Sequence, residues 1–407
     1  CYMLNKSKKV SKIFCFPGNA GTDLIAQNVS LDPDNFYKLE KYCMEKNIKM
    51  LVVGPEKPLV NGIVDHFKGK SIKVFGPDKI SSKLEGSKIF TKKICQENNI
   101  PTSKFEIFED LNKTLNYLNK CNFPLVVKAN GLASGKGVYI CKNFDDAKIA
   151  SEEIFNGKFG VAKQILIEEF LDGEEMSYFI VTDGKNYRFF GSAQDHKRVG
   201  EGDTGPNTGG MGAYSPARLL TDHLEEKIKK KIIEPTLKAM KNFGHPYKGF
   251  LYAGLMIKKE EPYLIEYNIR MGDPECQVLM MRLETDLVEI IDSAIKNKLN
   301  KIKIEWNKKN SITIVLCARG YPSSYIKNSE IKNLSNIFCD DDNQIFHAGT
   351  YMRDNKIYSI GGRVLNVTSS SESLIQARNK SLENINKINW NDGFFRKDIG
   401  WRIINKK

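Results

Sequence analysis

Long hydrophobic runs are missing from this chain. The longest, residues 250–257 and 312–318, fall far short of the ~20 apolar residues a membrane helix needs, so no helical span is expected. Disulfide chemistry is poorly provided for. The nine cysteines are odd in number and lie scattered from Cys1 to Cys339 without a C-x-x-C pair, which excludes a small stapled scaffold and points to a reducing, cytoplasmic compartment. The first residues, CYMLNKSKKV, hold no apolar segment of secretory-signal length. Arginine-rich stripes and basic motifs interleaved with aromatics are lacking as well, although 62 Lys and Arg against 49 Asp and Glu leave a net charge of +13. A solvated lysine surface with pockets for anionic substrates accounts for that excess better than nucleic acid does. No internal repeat or low-complexity linker is visible.

What is present is the composition of a packed protein. The 407 residues are 41% hydrophobic and 27% charged with a mean hydropathy of −0.40, enough for two or three domains. In the first third, short β-branched or aromatic runs (12–16, 50–53, 72–75) alternate with helical patterns (36–45, 59–67), which predicts a doubly wound parallel sheet. A connector and a helix stopped before Pro101 place a boundary near residues 80–92. From Leu125, strands separated by glycines predict antiparallel sheet. An amphipathic segment over 221–243, strands at 250–257 and 263–267 and a helix over 287–298 complete a second unit. Strands near 312–317 and 363–368 and a helix over 373–385 form a third.

Two glycine motifs differ from the nucleotide-binding loops they imitate. Gly200, Gly202 and Gly205 spell G-x-G-x-x-G, but Asp195 to Arg198 stand where a strand should end, and Pro206 stands where a helix should open. GLASGKG, from Gly131 to Gly137, is one residue short of a Walker A loop and has Gly137 where Ser or Thr should hold magnesium. Its glycines still let backbone N–H groups approach an anion, with Lys136 and Lys128 adding charge; a plain glycine hairpin is the alternative.

In LIEYNIR, the two-residue period of a strand puts Glu266, Asn268 and Arg270 on one face and Ile265, Tyr267 and Ile269 on the other. Carboxylate and amide oxygens suit magnesium, and Arg270 suits an anionic reactant or a transferring phosphoryl group. The alternative is a solvated edge strand; against it, MGDPE follows at once and adds Asp273 and Glu275. In IEEFLDGEE an apolar strand runs into acidic residues. Its backbone suits an adenine edge, and Glu175 suits ribose hydroxyls. Phosphate loop, hinge and metal strand in that order describe an ATP site.

Together with Lys88 in EGSKIFTK, these segments resemble an ATP-grasp ligase. PGNAGT (17–22), GPEKPL (54–59), QDHKRVGEGDTGPNTGGMGAYSP (194–216), GFLYAGLM, NIRMGDPE and FFRKDIGWR (394–402) more specifically resemble the phosphoribosylamine–glycine ligase family, along the whole chain. The resemblance implies an α/β fold, α+β in part. An N-terminal doubly wound domain would cover 1–86, an ATP-grasp domain 87–300 with a mobile lid at about 105–172, and a C-terminal mixed domain 301–407. It implies a ligase forming a carbon–nitrogen bond in purine synthesis. ATP, glycine and 5-phosphoribosylamine would give glycinamide ribonucleotide, ADP and phosphate through glycyl phosphate, with Mg2+ or Mn2+.

By residue, the resemblance assigns Lys88 and Lys128 to the ATP phosphates along with loop residues Ser134, Gly135 and Lys136. The backbone of Glu168, Glu169, Phe170 and Leu171 would meet adenine, and Glu175 would hold ribose. Glu266 and Asn268 would ligate the metal, and Arg270, Asp273 and Lys128 would be catalytic. Asp195, Lys197, Arg198, Asn207, Thr208, Gly209 and Gly210 would line the pocket for glycine and its acyl phosphate. Gly18, Asn19, Gly21, Thr22, Glu56, Pro58 and Leu59 would face phosphoribosylamine. The expected partners are these small molecules, with no nucleic acid or membrane, and the expected enzyme is a monomer. A related carboxylase subunit is disfavoured by the absence of a biotin-attachment motif.

Three departures from the family pattern stand out: Asn130 replaces Asp, and Ile269 and Met271 replace commoner residues beside the metal strand. Family members also begin with a strand and a glycine-rich turn that opens the first helix. This chain begins inside that helix, which implies that roughly 15 residues precede Cys1. Their turn would offer N–H groups to the ribose 5-phosphate.

Overall fold

The computed structural model of the chain describes residues 1–132, 137–160 and 164–404. Helix starts are written locally: Asn35, Ser87, Asp110, Asn143, Thr221, Asp286 and Ser373 each cap a helix by accepting a backbone N–H two or three residues on. In the N-terminal unit the strands are parallel as expected, but they form two separate ladders of two or three rungs. Phe14–Cys15 pairs with Gln27–Asn28, and Met50–Val52 pairs with Lys73–Phe75. The helical pattern expected over 59–67 is broken at Gly62. With φ at +94° this residue ends the helix Glu56–Asn61 and lets a second, Ile63–His66, begin.

Residues 105–169 build a small antiparallel sheet in the order Phe105–Phe108, Ile165–Glu169, Leu125–Ala129, Val138–Cys141. Helices Leu111–Leu118 and Phe144–Phe155 pack on it and give it a core of its own around Leu118, Val127, Ile154 and Ile165. The remaining chain is organised by one nine-stranded antiparallel sheet. Its order is Glu261–Asn268, Lys248–Lys258, Glu174–Asp183, Tyr187–Asp195, Gly212–Ser215, Asn310–Ala318, Arg363–Ser371, Asn343–His347, with Gly393–Phe394 paired to Asn310–Ala318. Gly212–Ser215 joins the strands on either side of residue 301, so the second and third units share a single sheet.

The amphipathic segment over 221–243 is helical but not uniform. A π-turn at Lys229–Ile233 separates Asp222–Ile228 from Glu234–Asn242, and Pro235, which has no N–H to donate, sits just beyond it. Among the described residues no helix is long and apolar enough to cross a membrane.

Candidate active site

A cavity of about 600 Å3 opens where the small sheet, the large sheet and the N-terminal unit meet. Val126, Ile140, Leu171, Met256 and Ile265 supply apolar lining suited to a flat ring. The cationic side is built on one buried carboxylate. Glu168 Oε2 lies 2.9 Å from Lys128 Nζ and 3.0 Å from Lys92 Nζ, and it accepts from Ser103 Oγ at 2.5 Å. Burial alone would raise the Glu168 carboxyl, but Lys128 and Lys92 outweigh it and hold the group down at about 2. Lys88 donates to the Gly131 carbonyl at 2.9 Å. Burial lowers both Lys88 and Lys92 from the ordinary lysine value. Three ammonium groups against one carboxylate leave this wall short of negative charge, which a polyphosphate would supply. Asn130 keeps an acceptor role beside it, taking the Ile89 N–H at 3.3 Å and the Ser87 hydroxyl at 3.2 Å.

The opposite wall is rich in oxygen donors. Glu266, Asn268, Asp195, Asp273 and Glu275 all line the cavity, with Lys197, Arg270 and Arg363 among them. The even alternation expected along LIEYNIR fails at one point. Gly254 pairs with Glu266 but Leu255 pairs with Leu264, so Ile265 is the extra residue of a β-bulge. Ile265 therefore joins Glu266 in the cavity wall, Tyr267 reaches the same wall from the core, and Ile269 stays buried in the core away from it. Lys88 and Lys197 act on the Glu266 carboxylate through charge, and the oxygens of Glu266 and Asn268, both in the cavity lining, are of the kind a hard cation takes. No group of three or more His, Cys, Asp or Glu suited to a metal exists among the described residues. A cation here would rely on these two side chains and on phosphate oxygens, the usual way magnesium is held beside a nucleotide.

Arg270 is heavily engaged: Nε reaches Glu56 Oε2 at 2.8 Å, Nη2 reaches Glu85 Oε1 at 3.1 Å and Nη1 reaches the Met271 carbonyl at 3.0 Å. Burial pushes the Glu85 carboxyl up to about 7 against the pull of Arg270. Asp273 accepts from Arg363 Nη2 at 3.0 Å and from Gln277 Nε2 at 2.9 Å, and Arg363 Nη1 also holds the Gly209 carbonyl at 2.6 Å. Glu175 pairs with Lys197 at 2.9 Å; burial would raise its carboxyl, but Lys197 keeps it below the ordinary value. Burial and the neighbouring Glu275 push Asp195 well above the usual carboxyl range, and its Oδ1 is buried with no hydrogen-bond partner among the described residues.

The cavity thus gathers Lys88, Lys128, Glu168, Glu169, Phe170, Leu171, Glu175, Asp195, Lys197, Asn207, Thr208, Gly209, Glu266, Asn268, Arg270, Asp273 and Glu56. Others lie apart from its lining. Leu59 is 1% exposed and packs in the core, where it abuts Gly76, and Pro58 is buried beside it on the same short helix. Asn19 spends its side chain on the N–H groups of Gly21 and Thr22 and on the carbonyls of His347 and Ala348, while Thr22 Oγ1 bonds Asn28. Gly18, with φ at +83°, turns the chain there. Arg198 points to the Gly205 carbonyl on a hairpin, and Gly210 donates to Thr208 Oγ1. Ser134, Gly135 and Lys136 fall outside the described residues.

Lys92, Ser103, Glu85, Tyr252 and Arg363 also line the cavity, although sequence reasoning had not singled them out. Lys92 carried a signal, standing four residues after Lys88 and so on the same helix face. Arg363 carried none, since it enters from a strand of the third unit.

The fold and the cavity define an ATP-grasp protein. A solved biotin carboxylase domain of Hydrogenobacter thermophilus 2-oxoglutarate carboxylase shares that fold, with a TM-score of 0.74 over 97% of this chain and 88% of that one at 16% identity. Three phosphoribosylglycinamide synthetase models match most of the chain: the N domain at residues 1–85, the ATP-grasp (A) domain at 86–276 and the C domain at 311–402. The chain belongs to the phosphoribosylglycinamide synthetase family. It is 44% identical over 407 residues to the phosphoribosylamine–glycine ligase of Brucella melitensis, covering 100% of this chain and 95% of that protein. The crystal structure of the Thermotoga maritima phosphoribosylamine–glycine ligase superposes with a TM-score of 0.84 at 31% identity, covering 98% and 96% of the two chains.

Proposed function

We propose that this chain joins glycine to 5-phosphoribosylamine, converting ATP to ADP and phosphate and releasing glycinamide ribonucleotide. The observation that carries the reading is the cavity's division, with an ammonium-rich wall of Lys88, Lys92 and Lys128 facing oxygen donors at Glu266 and Asn268. A carboxylate is a poor electrophile, so the γ-phosphoryl group passes from ATP to a glycine carboxylate oxygen and gives glycyl phosphate. Such a transfer needs position and charge neutralisation more than covalent help from the protein. Lys88 and Lys128 hold the ATP phosphates, the backbone of Glu168–Leu171 meets adenine, and Glu175 meets the ribose.

Glu266 and Asn268 would hold Mg2+ or Mn2+, which neutralises phosphate charge when bound. Lys197, Arg363 and the Asn207–Gly209 backbone face the glycine carboxylate. The ribosylamine nitrogen then attacks the acyl carbon, phosphate leaves, and Asp273 accepts the proton that the nitrogen loses. Glu56 faces phosphoribosylamine from the N-terminal unit. The enzyme acts as a single chain in a reducing cytoplasm, a setting supported by nine free cysteines. The test is ADP release from ATP and magnesium, with glycine and freshly made phosphoribosylamine supplied together and each omitted in turn. Release that needs both supports the reading, and release indifferent to phosphoribosylamine sinks it.

A further inference from the structure

Strand Glu261–Asn268 ends its ladder at Asn268, opposite Tyr252. The next N–H, on Ile269, belongs to a residue whose side chain is buried in the core, and it has no neighbouring strand to bond. A buried donor left unpaired there would lose its hydration with nothing in exchange, which destabilises the fold. Glu85, from the short helix Lys83–Gly86, fills that role: Oε2 accepts the Ile269 N–H at 2.8 Å while Oε1 accepts Arg270 Nη2 at 3.1 Å. Glu56 takes the other edge of the same guanidinium at 2.8 Å. One carboxylate therefore stands in for a missing strand at the point where the chain leaves Asn268 for Asp273.

We propose that Glu85 is a positioning residue for the ligation, resting on the function read above: it fixes the backbone between Asn268 and Asp273 and, with Glu56, holds Arg270 against the cavity. Its own oxygens are both engaged by the protein, so it acts through that segment. Gln at this position keeps the size but turns an N–H2 group toward Arg270 or toward the Ile269 N–H, and Asp is one methylene too short to reach both.

The experiment compares steady-state kinetics of the parent, Glu85→Gln, Glu85→Asp, Arg270→Lys and the Glu85→Gln/Arg270→Lys double variant, with folding checked by circular dichroism. In each Glu85 variant kcat should fall about 30-fold while KM for ATP stays within about threefold, the pattern of displaced groups rather than lost ATP binding. The double variant should be no more than about threefold slower than the slower single one, because the two residues act as a unit. Rates within twofold of the parent, or fully multiplicative losses, overturn the proposal. If Glu85→Gln does not fold, Glu85→Asp alone decides by the same kcat criterion. A parent that releases ADP without needing both substrates would count against the ligase reading, whereas an unaffected variant of a fully dependent parent removes only Glu85.

Discussion

Glu168 sits between two lysines in a cavity wall, and its acidity records how strongly the fold needs its charge. Its carboxyl titrates near 4.5 when unperturbed and at about 2 in the folded chain, because Lys128 and Lys92 overcome the burial that would raise it. A folded value below the unfolded one means the ionised group stabilises the fold above pH 4.5, and this contribution is lost as pH falls from about 4.5 toward about 2. Glu168→Gln should therefore destabilise the chain at pH 7 by on the order of 3 kcal/mol, the cost of leaving buried ammonium groups unpaired. Urea unfolding across that pH range should show a flatter acid limb for the variant; parallel curves would remove Glu168 from this role. At this scale residue type and spacing led to positions that line the cavity, as at Lys128 and Glu266. The sequence was not readable where a partner arrives from a distant strand, as Arg363 does.

Among the elements, regular segments followed their local patterns: helix Phe36–Glu45 has the expected bounds, and strand Asn310–Ala318 extends the expected run by two residues at its start and one at its end. The departures have physical causes. Gly62 splits one helix in two, a π-turn accompanies Pro235, and the bulge at Ile265 overrides strict alternation, because no two-residue pattern announces an extra residue. The G-x-G-x-x-G stretch proves to be a hairpin, with Arg198–Gly200 paired to Thr204–Asn207, whose return strand carries Asn207 into the cavity. Its tip is tied down by Asp203, which accepts from Arg396 at 2.9 Å, from Arg402 Nη2 at 2.7 Å and from Trp401 at 3.2 Å. Asp203→Ala frees the tip and should raise KM for glycine about tenfold, a shift on the order of 1.4 kcal/mol, while leaving KM for ATP near the parent value. Initial-rate kinetics with each substrate varied would show it, and equal changes in both constants would contradict it.

Across the whole molecule, the large sheet sets the geometry of the cavity. It runs unbroken from Glu261–Asn268, which carries Glu266, to Arg363–Ser371, which carries Arg363, and so places donors from two sequence-distant units at one opening. The N-terminal unit adds Glu56, tied across the opening to Arg270. The strand of Glu266, the strand of Arg363 and the N-terminal segment of Glu56 meet at one cavity because the shared sheet and these ion pairs bring them together, a convergence that sequence order alone does not contain. In the proposed reaction this convergence activates the glycine carboxylate by phosphorylation. Glycine labelled with heavy oxygen in its carboxylate should pass one labelled oxygen per turnover to the released phosphate, read by mass spectrometry, since the oxygen that attacks phosphorus leaves with it. Unlabelled phosphate alongside normal formation of glycinamide ribonucleotide would rule out activation through glycyl phosphate.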